Sequence, residues 1–198
     1  MTPPSPAPDE ALDGGWRERL RGLPVFPASM PEFDPDAAPQ SPLSLASAWL
    51  EQAIEAGVLQ PHAAVLSTVD EGARPSSRVL ILKDLTPEGF WFATPSDSPK
   101  GIDLARNPHA ALHFYWAELG RQLRVTGRVE AGPAAVSAAD WQARSPAARA
   151  EADPATWTAY LLRPRELEFF AASAARSHTR LRYRLGDDAD WTRERVAP

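Results

Sequence analysis

Two cations at the ends of one short apolar run are the first residues whose types and spacing could do chemistry. Arg78 and Lys83 bracket residues 79–82, and the composition of this run predicts a strand buried on both faces. Such a strand would hold two positive groups at a fixed separation, which suits an anionic ligand such as a phosphate ester. The alternative is a pair of solvated strand-end charges, because long cationic side chains are mostly exposed.

A third cation follows the predicted start of a helix. Ser98 is a residue type that caps helices, Pro99 suits the first helical position, and Lys100 comes next. The unpaired backbone N–H groups and the dipole of a helix start both favour negative charge. Residues 96–101 therefore predict a second position that could hold an anion.

The elements that must position these cations are mostly strands. Strands are predicted over residues 63–69, 89–94 and 110–116, the first two as parts of hairpins. Residues 121–129 alternate, so that Leu123, Val125 and Val129 face one way and the polar side chains face the other; these polar residues are Gln122, Arg124, Thr126 and Arg128. Further strands are predicted between Trp157 and Val196.

Helical patterns flank the predicted strands. Residues 43–58 have apolar positions at helical spacing and predict an amphipathic helix that ends at Gly57. Residues 133–152 are rich in alanine and favour helix, with a break at Ser145 and Pro146. Residues 1–42 are rich in proline, alanine and acidic groups, which predicts a partly mobile N-terminal arm before a single domain over residues 43–198.

Composition narrows the classes of function. The chain has 198 residues, no cysteine and a net charge of -5, which argues against disulfides and against nucleic acid as a partner. No apolar stretch is long enough to span a membrane and no signal sequence is visible, so a cytoplasmic location is expected. The four histidines lack the spacing of a metal site, and no metal is expected.

Several motifs occur in an order that resembles the pyridoxamine 5'-phosphate oxidase family, flavoenzymes with an FMN-binding split β-barrel. The motifs are R-V-L-I-L-K, F-A-T, S-x-K-G, N-P-x-A-x-L-x-F-Y-W, R-Q-L-R-V-x-G-R-V, E-F-F-A, R-S-H-T-R and R-V-A-P. They cover roughly residues 43–198, and their shared order is more specific than any one of them. The resemblance implies a mainly β fold with flanking helices, FMN as cofactor and a homodimer.

The resemblance also implies a set of site residues. FMN would be bound by Arg78, Val79, Lys83, Ala93, Thr94, Lys100, Gln122, Phe170 and Arg180. The substrate would be held by Lys83, Arg144, Arg176 and His178, of which Arg176 and His178 form the catalytic pair. An extended Arg-x-His-x-Arg run would place Arg176, His178 and Arg180 on one strand face.

The implied activity is oxidation of pyridoxamine or pyridoxine 5'-phosphate. A hydride would pass from a substrate carbon to flavin N5, and O2 would reoxidise the flavin and yield hydrogen peroxide. Two alternatives remain open: a flavin-dependent oxidase of a secondary-metabolite pathway, such as a phenazine-like one, and a flavin-binding protein without turnover.

Departures from the family pattern motivate these alternatives. The segment between Arg149 and Trp157 is shortened and lacks a Gln-Ser pair that contacts FMN, and Pro99 replaces an arginine. Phe170 replaces a tryptophan beside the flavin, while Asp140 and Ala148 replace a tyrosine and a serine on the substrate side. An aspartate there would weaken the binding of a phosphorylated substrate.

Overall fold

The computed structural model describes residues 15–197, whose strands form one antiparallel sheet. The strands are β1 (Ala63–Val69), β2 (Pro75–Thr86), β3 (Gly89–Pro95), β4 (His109–Trp116), β5 (Arg121–Ala131), β6 (Trp157–Ala171), β7 (Thr179–Leu185) and β8 (Trp191–Arg195). The helices are α1 (Trp16–Arg21), α2 (Pro42–Glu55), α3 (Pro99–Arg106), α4 (Ala134–Ala143) and α5 (Pro146–Ala150).

Six of the strands close into a barrel. The sheet order is β3-β2-β1-β4-β5-β6-β7-β8, and an added pairing between β3 and β6 joins the two ends of the first six strands. Fully buried side chains fill the interior, among them Leu66, Phe92, Leu112, Val125 and Leu162. The predicted mainly β barrel with flanking helices is confirmed, and β7 and β8 extend the sheet beyond the closure.

The alternation predicted for β5 is confirmed, whereas the prediction for β2 is wrong. In β5, Leu123 and Val125 are buried while Arg124 and Arg128 are exposed. In β2, Val79 is 66% exposed, so the run is not buried on both faces. One face of β2 points into the barrel and the other points outward, so only the inward residues of this apolar run are covered.

The starts of the predicted helices are confirmed by their caps. The Ser98 hydroxyl accepts a hydrogen bond from the Gly101 backbone N–H at 3.3 Å, and Pro99 occupies the first helical position of α3. A Cβ atom at position 101 would lie 2.4 Å from the Ser96 carbonyl oxygen, so the close packing of this helix start requires glycine. The predicted break at Ser145 and Pro146 likewise separates α4 from α5.

Residues 26–40 run across the body toward the last two strands. The Phe33 ring packs edge-on against Trp49 of α2 at 5.1 Å between centroids. The Tyr183 hydroxyl donates to the Pro39 carbonyl oxygen at 2.7 Å, and Arg195 pairs with Asp36 at 2.6 Å. This part of the predicted arm therefore contacts the domain, while residues 1–14 lie outside the described residues. Its predicted partial mobility stays a prediction.

Two kinds of feature are absent from the described part of the chain. None of its helices has the length and hydropathy needed to cross a membrane. Within residues 15–197, no three His, Asp or Glu side chains are grouped as metal ligands would be.

Candidate functional site

Two cations and two hydroxyls converge where β2 and β3 meet the start of α3. This β2–α3 cluster consists of Arg78, Thr94, Ser98 and Lys100. The Lys100 ammonium donates to the Ser98 hydroxyl at 3.3 Å, and the hydroxyls of Thr94 and Ser98 are 3.5 Å apart. Cap geometry brings Ser98 and Lys100 together, and Arg78 is linked to α3 through the Thr68 hydroxyl, which donates to Asp103 of that helix.

The β2–α3 cluster has positive charge without a carboxylate partner. Arg78 donates to the hydroxyls of Thr68 and Ser76, each at 2.8 Å, and Thr68 in turn donates to Asp103 at 2.7 Å. In residues 15–197, neither Arg78 nor Lys100 forms an ion pair. Burial, and then the charge of Arg78, lower the pKa of Lys100. Two such cations with two hydroxyls and a helix start fit a phosphate monoester.

A second group lies on the outer face of the sheet, across β5, β6 and β7. Gln122, Phe170 and Arg180 are direct neighbours in register, and the Arg180 guanidinium lies 4.9 Å from the centre of the Phe170 ring. Together with His113, whose Nε2 is buried without a hydrogen-bond partner, they line a cavity of about 150 Å³. Amide, aromatic and cationic groups of this kind suit the edge of a polar heteroaromatic ring.

Arg180 also belongs to a ladder of charged side chains on this outer face. Glu168 receives hydrogen bonds from Arg124, Arg180 and Arg182 at 3.0–3.3 Å. Burial raises the pKa of the Glu168 carboxyl, but the hydrogen bond from Arg182 and the positive charges of the three arginines outweigh it, so the pKa is lowered. Each of these arginines therefore has a carboxylate partner within the chain.

The prediction that Arg176, His178 and Arg180 share one strand face is wrong. β7 begins only at Thr179, and Arg176 lies in a turn with a φ of 58°, closed by a hydrogen bond from its N–H to the Ser173 carbonyl. The connection from β6 to β7 reverses direction here, so Arg176 and His178 precede the strand and only Arg180 lies on it. Residue spacing alone cannot show this turn.

The loop geometry fixes the imidazole of His178. The backbone N–H of Ser173 donates to Nδ1 of His178 at 3.1 Å. Since Nδ1 accepts this bond, the neutral imidazole carries its proton on Nε2. The ring lies between Phe26 and Phe170, with centroid distances of 5.3 and 5.4 Å. Nε2–H is therefore the group that His178 can offer to a ligand.

Arg176 and His178 line a cleft of about 650 Å³ beside the N-terminal segment. Phe26 and Met30 form the opposite wall. Met30 is seated against Gly120, where a Cβ atom would lie 2.4 Å from the methionine sulfur. No sharp sequence signal marks Phe26 as a wall of this cleft, because the proline-rich composition of its surroundings favours a loop.

Lys83 and Arg144 lie in a third location, at the contact between β2 and α4. The Lys83 ammonium is 3.4 Å from a carboxylate oxygen of Asp140, and the Trp157 indole N–H donates to the other oxygen at 2.8 Å. The Arg144 guanidinium lies 3.9 Å from the Trp157 ring centre. We refer to Lys83, Asp140, Arg144 and Trp157 as the α4 corner.

The remaining predicted residues are less closely grouped. Ala93 is half-buried on β3 beside Thr94, whereas the side chain of Val79 points to the outer face, away from Arg78. The structure thus brings the predicted residues into separate groups: the β2–α3 cluster, the outer-face group, the His178 cleft and the α4 corner. Ser98, Thr68, Phe26 and Trp157 complete these groups and were not among the predicted site residues.

Comparison with known proteins assigns the chain to a family. Residues 50–176 match the pyridoxamine 5'-phosphate oxidase family, and residues 157–198 match the pyridoxine 5'-phosphate oxidase C-terminal dimerisation region. The chain is 36% identical to a pyridoxine/pyridoxamine 5'-phosphate oxidase of Salinibacter ruber over 84% of this chain and 94% of that protein. A Pseudomonas syringae pv. syringae protein of the same name is 39% identical over 81% of this chain and 90% of that protein.

A solved structure shows the same relationship. PhzG from Burkholderia lata 383, in complex with tetrahydrophenazine-1-carboxylic acid, superposes with a TM-score of 0.78 and 30% identity, covering 88% of this chain and 100% of that one. The family matches together cover more than half of the chain and both ends of the barrel. The chain therefore belongs to the pyridoxamine 5'-phosphate oxidase family of FMN-dependent oxidoreductases.

Proposed function

We propose that this protein is a homodimeric FMN-dependent oxidase that acts on a small heteroaromatic substrate at the His178 cleft. The observation that carries the proposal is the β2–α3 cluster, where Arg78 and Lys100 have no carboxylate partner in the described chain. Like charges held together at a helix start favour an anion strongly. The FMN phosphate is an anion of the required size and charge.

Arg78 and Lys100 would hold the phosphate, with Thr94 and Ser98 as hydroxyl donors. Gln122, Phe170 and Arg180 would contact the ring, Gln122 by hydrogen bonding to its polar edge. Arg78 shares the inner face of its strand pair with buried Leu66, whereas Gln122 shares the outer face with exposed Tyr115. Because the two sets face different sides of the sheet, we assign them to FMN bound between two protomers.

Arg176 and His178 would orient the substrate over the flavin. His178 offers the proton on Nε2 to a substrate oxygen or nitrogen, and exposed Arg176 offers a cation to an acidic group. Phe26 and Met30 wall the cleft and limit access of water. Bound FMN supplies the acceptor for a hydride and returns the electrons to O2 as hydrogen peroxide.

Pyridoxine 5'-phosphate and pyridoxamine 5'-phosphate are the first candidate substrates, because the curated relatives carry that name at 36–39% identity. A specific observation favours a second candidate, a heteroaromatic compound without phosphate. The Lys83 ammonium is already paired with Asp140 at 3.4 Å. Tetrahydrophenazine-1-carboxylic acid, the compound in complex with PhzG, is of this phosphate-free kind.

Flavin binding and turnover test the proposal separately. The purified protein is titrated with FMN, and hydrogen peroxide is measured with pyridoxine 5'-phosphate, pyridoxamine 5'-phosphate and phosphate-free heteroaromatic compounds. We expect tight FMN binding and peroxide that depends on one of these substrates, lost in His178→Asn while FMN stays bound. FMN binding without turnover of any compound would contradict the oxidase assignment, and absence of FMN binding would contradict the whole proposal.

A further inference from the structure

Asp140 occupies the centre of the α4 corner. One carboxylate oxygen lies 3.4 Å from the Lys83 ammonium, and the other accepts the Trp157 indole N–H at 2.8 Å. The Asp140 side chain is 16% exposed and Trp157 is 9% exposed, so the carboxylate is held between its two partners and screened from water. Its negative charge stays next to Lys83.

The second cation of the corner is also engaged. The Arg144 guanidinium lies 3.9 Å from the centre of the Trp157 ring and 5.6 Å from that of Trp141, and Nη2 donates to the Ala148 carbonyl at 2.6 Å. Its Nε is buried without a hydrogen-bond partner. The stacked position of Arg144 and its bond to Ala148 restrict the fork geometry that grips a phosphate.

The charges of the α4 corner differ from those of the β2–α3 cluster. Lys83, Asp140 and Arg144 together carry one net positive charge, because Asp140 pairs directly with Lys83. Arg78 and Lys100 carry two positive charges without an ion-pair partner among residues 15–197, and Arg78 reaches the Asp103 carboxylate only through the Thr68 hydroxyl. A phosphate monoester has a charge of about -1.5 to -2 at neutral pH, and a carboxylate has one negative charge. The first region suits a single negative charge or none; the second suits phosphate.

We propose that Asp140 is a specificity-determining residue that neutralises Lys83 and selects against substrates with a phosphate monoester in the α4 corner. The favoured substrate carries at most one negative charge there. The inference rests on the proposed function, because Lys83 and Arg144 contact substrate only if the substrate site of the oxidase includes this corner. Trp157 acts as a positioning residue, since it touches the carboxylate through its indole N–H.

The Asp140→Asn variant tests the role of this charge. Asparagine has the same shape and still accepts the Trp157 indole N–H, but it leaves Lys83 without a neutralising partner. Asp84→Asn is the matched control: it makes the same change one residue from Lys83, at an exposed carboxylate whose observed bond is to the Leu85 backbone N–H. Unchanged FMN affinity in both variants verifies that the fold and the cofactor site are intact.

Binding of pyridoxal 5'-phosphate and pyridoxal to the FMN-loaded protein is the readout, measured as dissociation constants from changes in the flavin spectrum. We expect the wild-type protein to bind the two compounds with similar affinity. Asp140→Asn should tighten pyridoxal 5'-phosphate about tenfold and leave pyridoxal unchanged, because the freed cation attracts only the phosphate. Asp84→Asn should match the wild type.

Three results would overturn the inference: a strong wild-type preference for the phosphate ester, equal affinities in the wild type and Asp140→Asn, or no binding of the ester by either. Peroxide formation is measured in parallel. A shift in binding without turnover of any heteroaromatic compound would contradict the oxidase function and still support the role of Asp140. Turnover of a heteroaromatic compound with the same affinities in the wild type and Asp140→Asn would support the oxidase function and contradict the role of Asp140.

Discussion

The β2–α3 cluster and the outer-face ladder contain the same kinds of cation but give them different partners. In the ladder, Arg124, Arg180 and Arg182 converge on Glu168, so each of them has a carboxylate partner within the chain. In the cluster, Arg78 is held by the hydroxyls of Thr68 and Ser76, which orient it without cancelling its charge. The number of basic residues therefore does not indicate an anion site, whereas the nature of their partners does.

Among the variants that probe this contrast, Arg78→Ala should have the largest effect, which is on the affinity for FMN. Removing a cation that hydroxyls orient toward the phosphate position should weaken FMN binding by about 2–3 kcal/mol, the scale of charge-assisted hydrogen bonds. The measurement is an FMN titration by flavin fluorescence. Arg74→Ala is the control, because Arg74 on the same hairpin is exposed and paired with Asp70. Equal losses in the two variants would contradict the placement of the phosphate.

Glu168→Gln should lower the free energy of unfolding by about 2 kcal/mol, because three arginines lose their shared carboxylate. The pKa of Glu168 is lowered in the folded protein, so its stabilisation is complete above the ordinary value of 4.5 and is lost as the pH falls through the lowered value. Urea unfolding at pH 7 and at a series of pH values below 4.5 should show a difference that is complete at pH 7 and shrinks as the pH falls. A difference that does not shrink with falling pH would contradict ionic stabilisation.

Lys100 should make FMN binding sensitive to alkaline pH. Burial and the charge of Arg78 lower its pKa, so the protonated form that attracts phosphate is lost at a lower pH than in an ordinary lysine. The affinity for FMN should fall as the pH rises from 7 toward 10, and full loss of the ammonium charge should weaken binding about tenfold, the scale of losing one charge-assisted contact. Lys100→Arg should remove this fall in affinity. A wild-type affinity for FMN that stays constant from pH 7 to pH 10 would contradict the role of the Lys100 charge.

Arg180→Ala should weaken FMN binding by only about 1 kcal/mol. The Arg180 guanidinium is already ion-paired with Glu168 at 3.0 Å, so its main contribution to FMN binding is its packing on Phe170 and one hydrogen bond. Isothermal titration with FMN measures the loss. An effect as large as that of Arg78→Ala would show that the ladder arginine contacts the phosphate directly, and the contrast between the two regions would fail.

Glu130→Gln should have the smallest effect. Glu130 pairs with Arg163 at 2.9 Å, but both side chains are nearly half exposed. Exposed single pairs contribute little, so the free energy of unfolding should change by less than about 0.5 kcal/mol. Chemical denaturation of the Glu130→Gln and Glu168→Gln variants, measured side by side, compares their free energies of unfolding. Similar losses in both variants would mean that burial and shared partners do not distinguish the ladder.

Local patterns were enough to locate most of the elements. The alternation in β5, the cap at Ser98 and the break at Pro146 each depend on neighbouring residues, and each is confirmed. The burial of β2 was not predictable in this way, because residues 79–82 are apolar on both faces while only one face is covered. Which face is covered depends on closure of the barrel, a property of strands far apart in sequence.

The sequence selects residues for the candidate site but does not predict the contacts between them. The motifs selected Arg78, Lys100 and His178, yet the turn at Arg176 follows from a backbone dihedral that residue spacing does not encode. The pairing of Lys83 with Asp140 joins β2 to α4 across 57 positions of sequence. Such a contact exists only after the helix has packed on the barrel.

The bonds between residues 36–40 and the last two strands carry a consequence for how the chain folds. Tyr183 and Pro39 are 144 positions apart, and Arg195 and Asp36 are 159 positions apart. Contacts with so large a loop to close form slowly, and on a growing chain they cannot form before β7 and β8 have been synthesised. Residues 26–40, which include Phe26 and Met30 of the cleft, should therefore reach their final position late, after the barrel has already assembled.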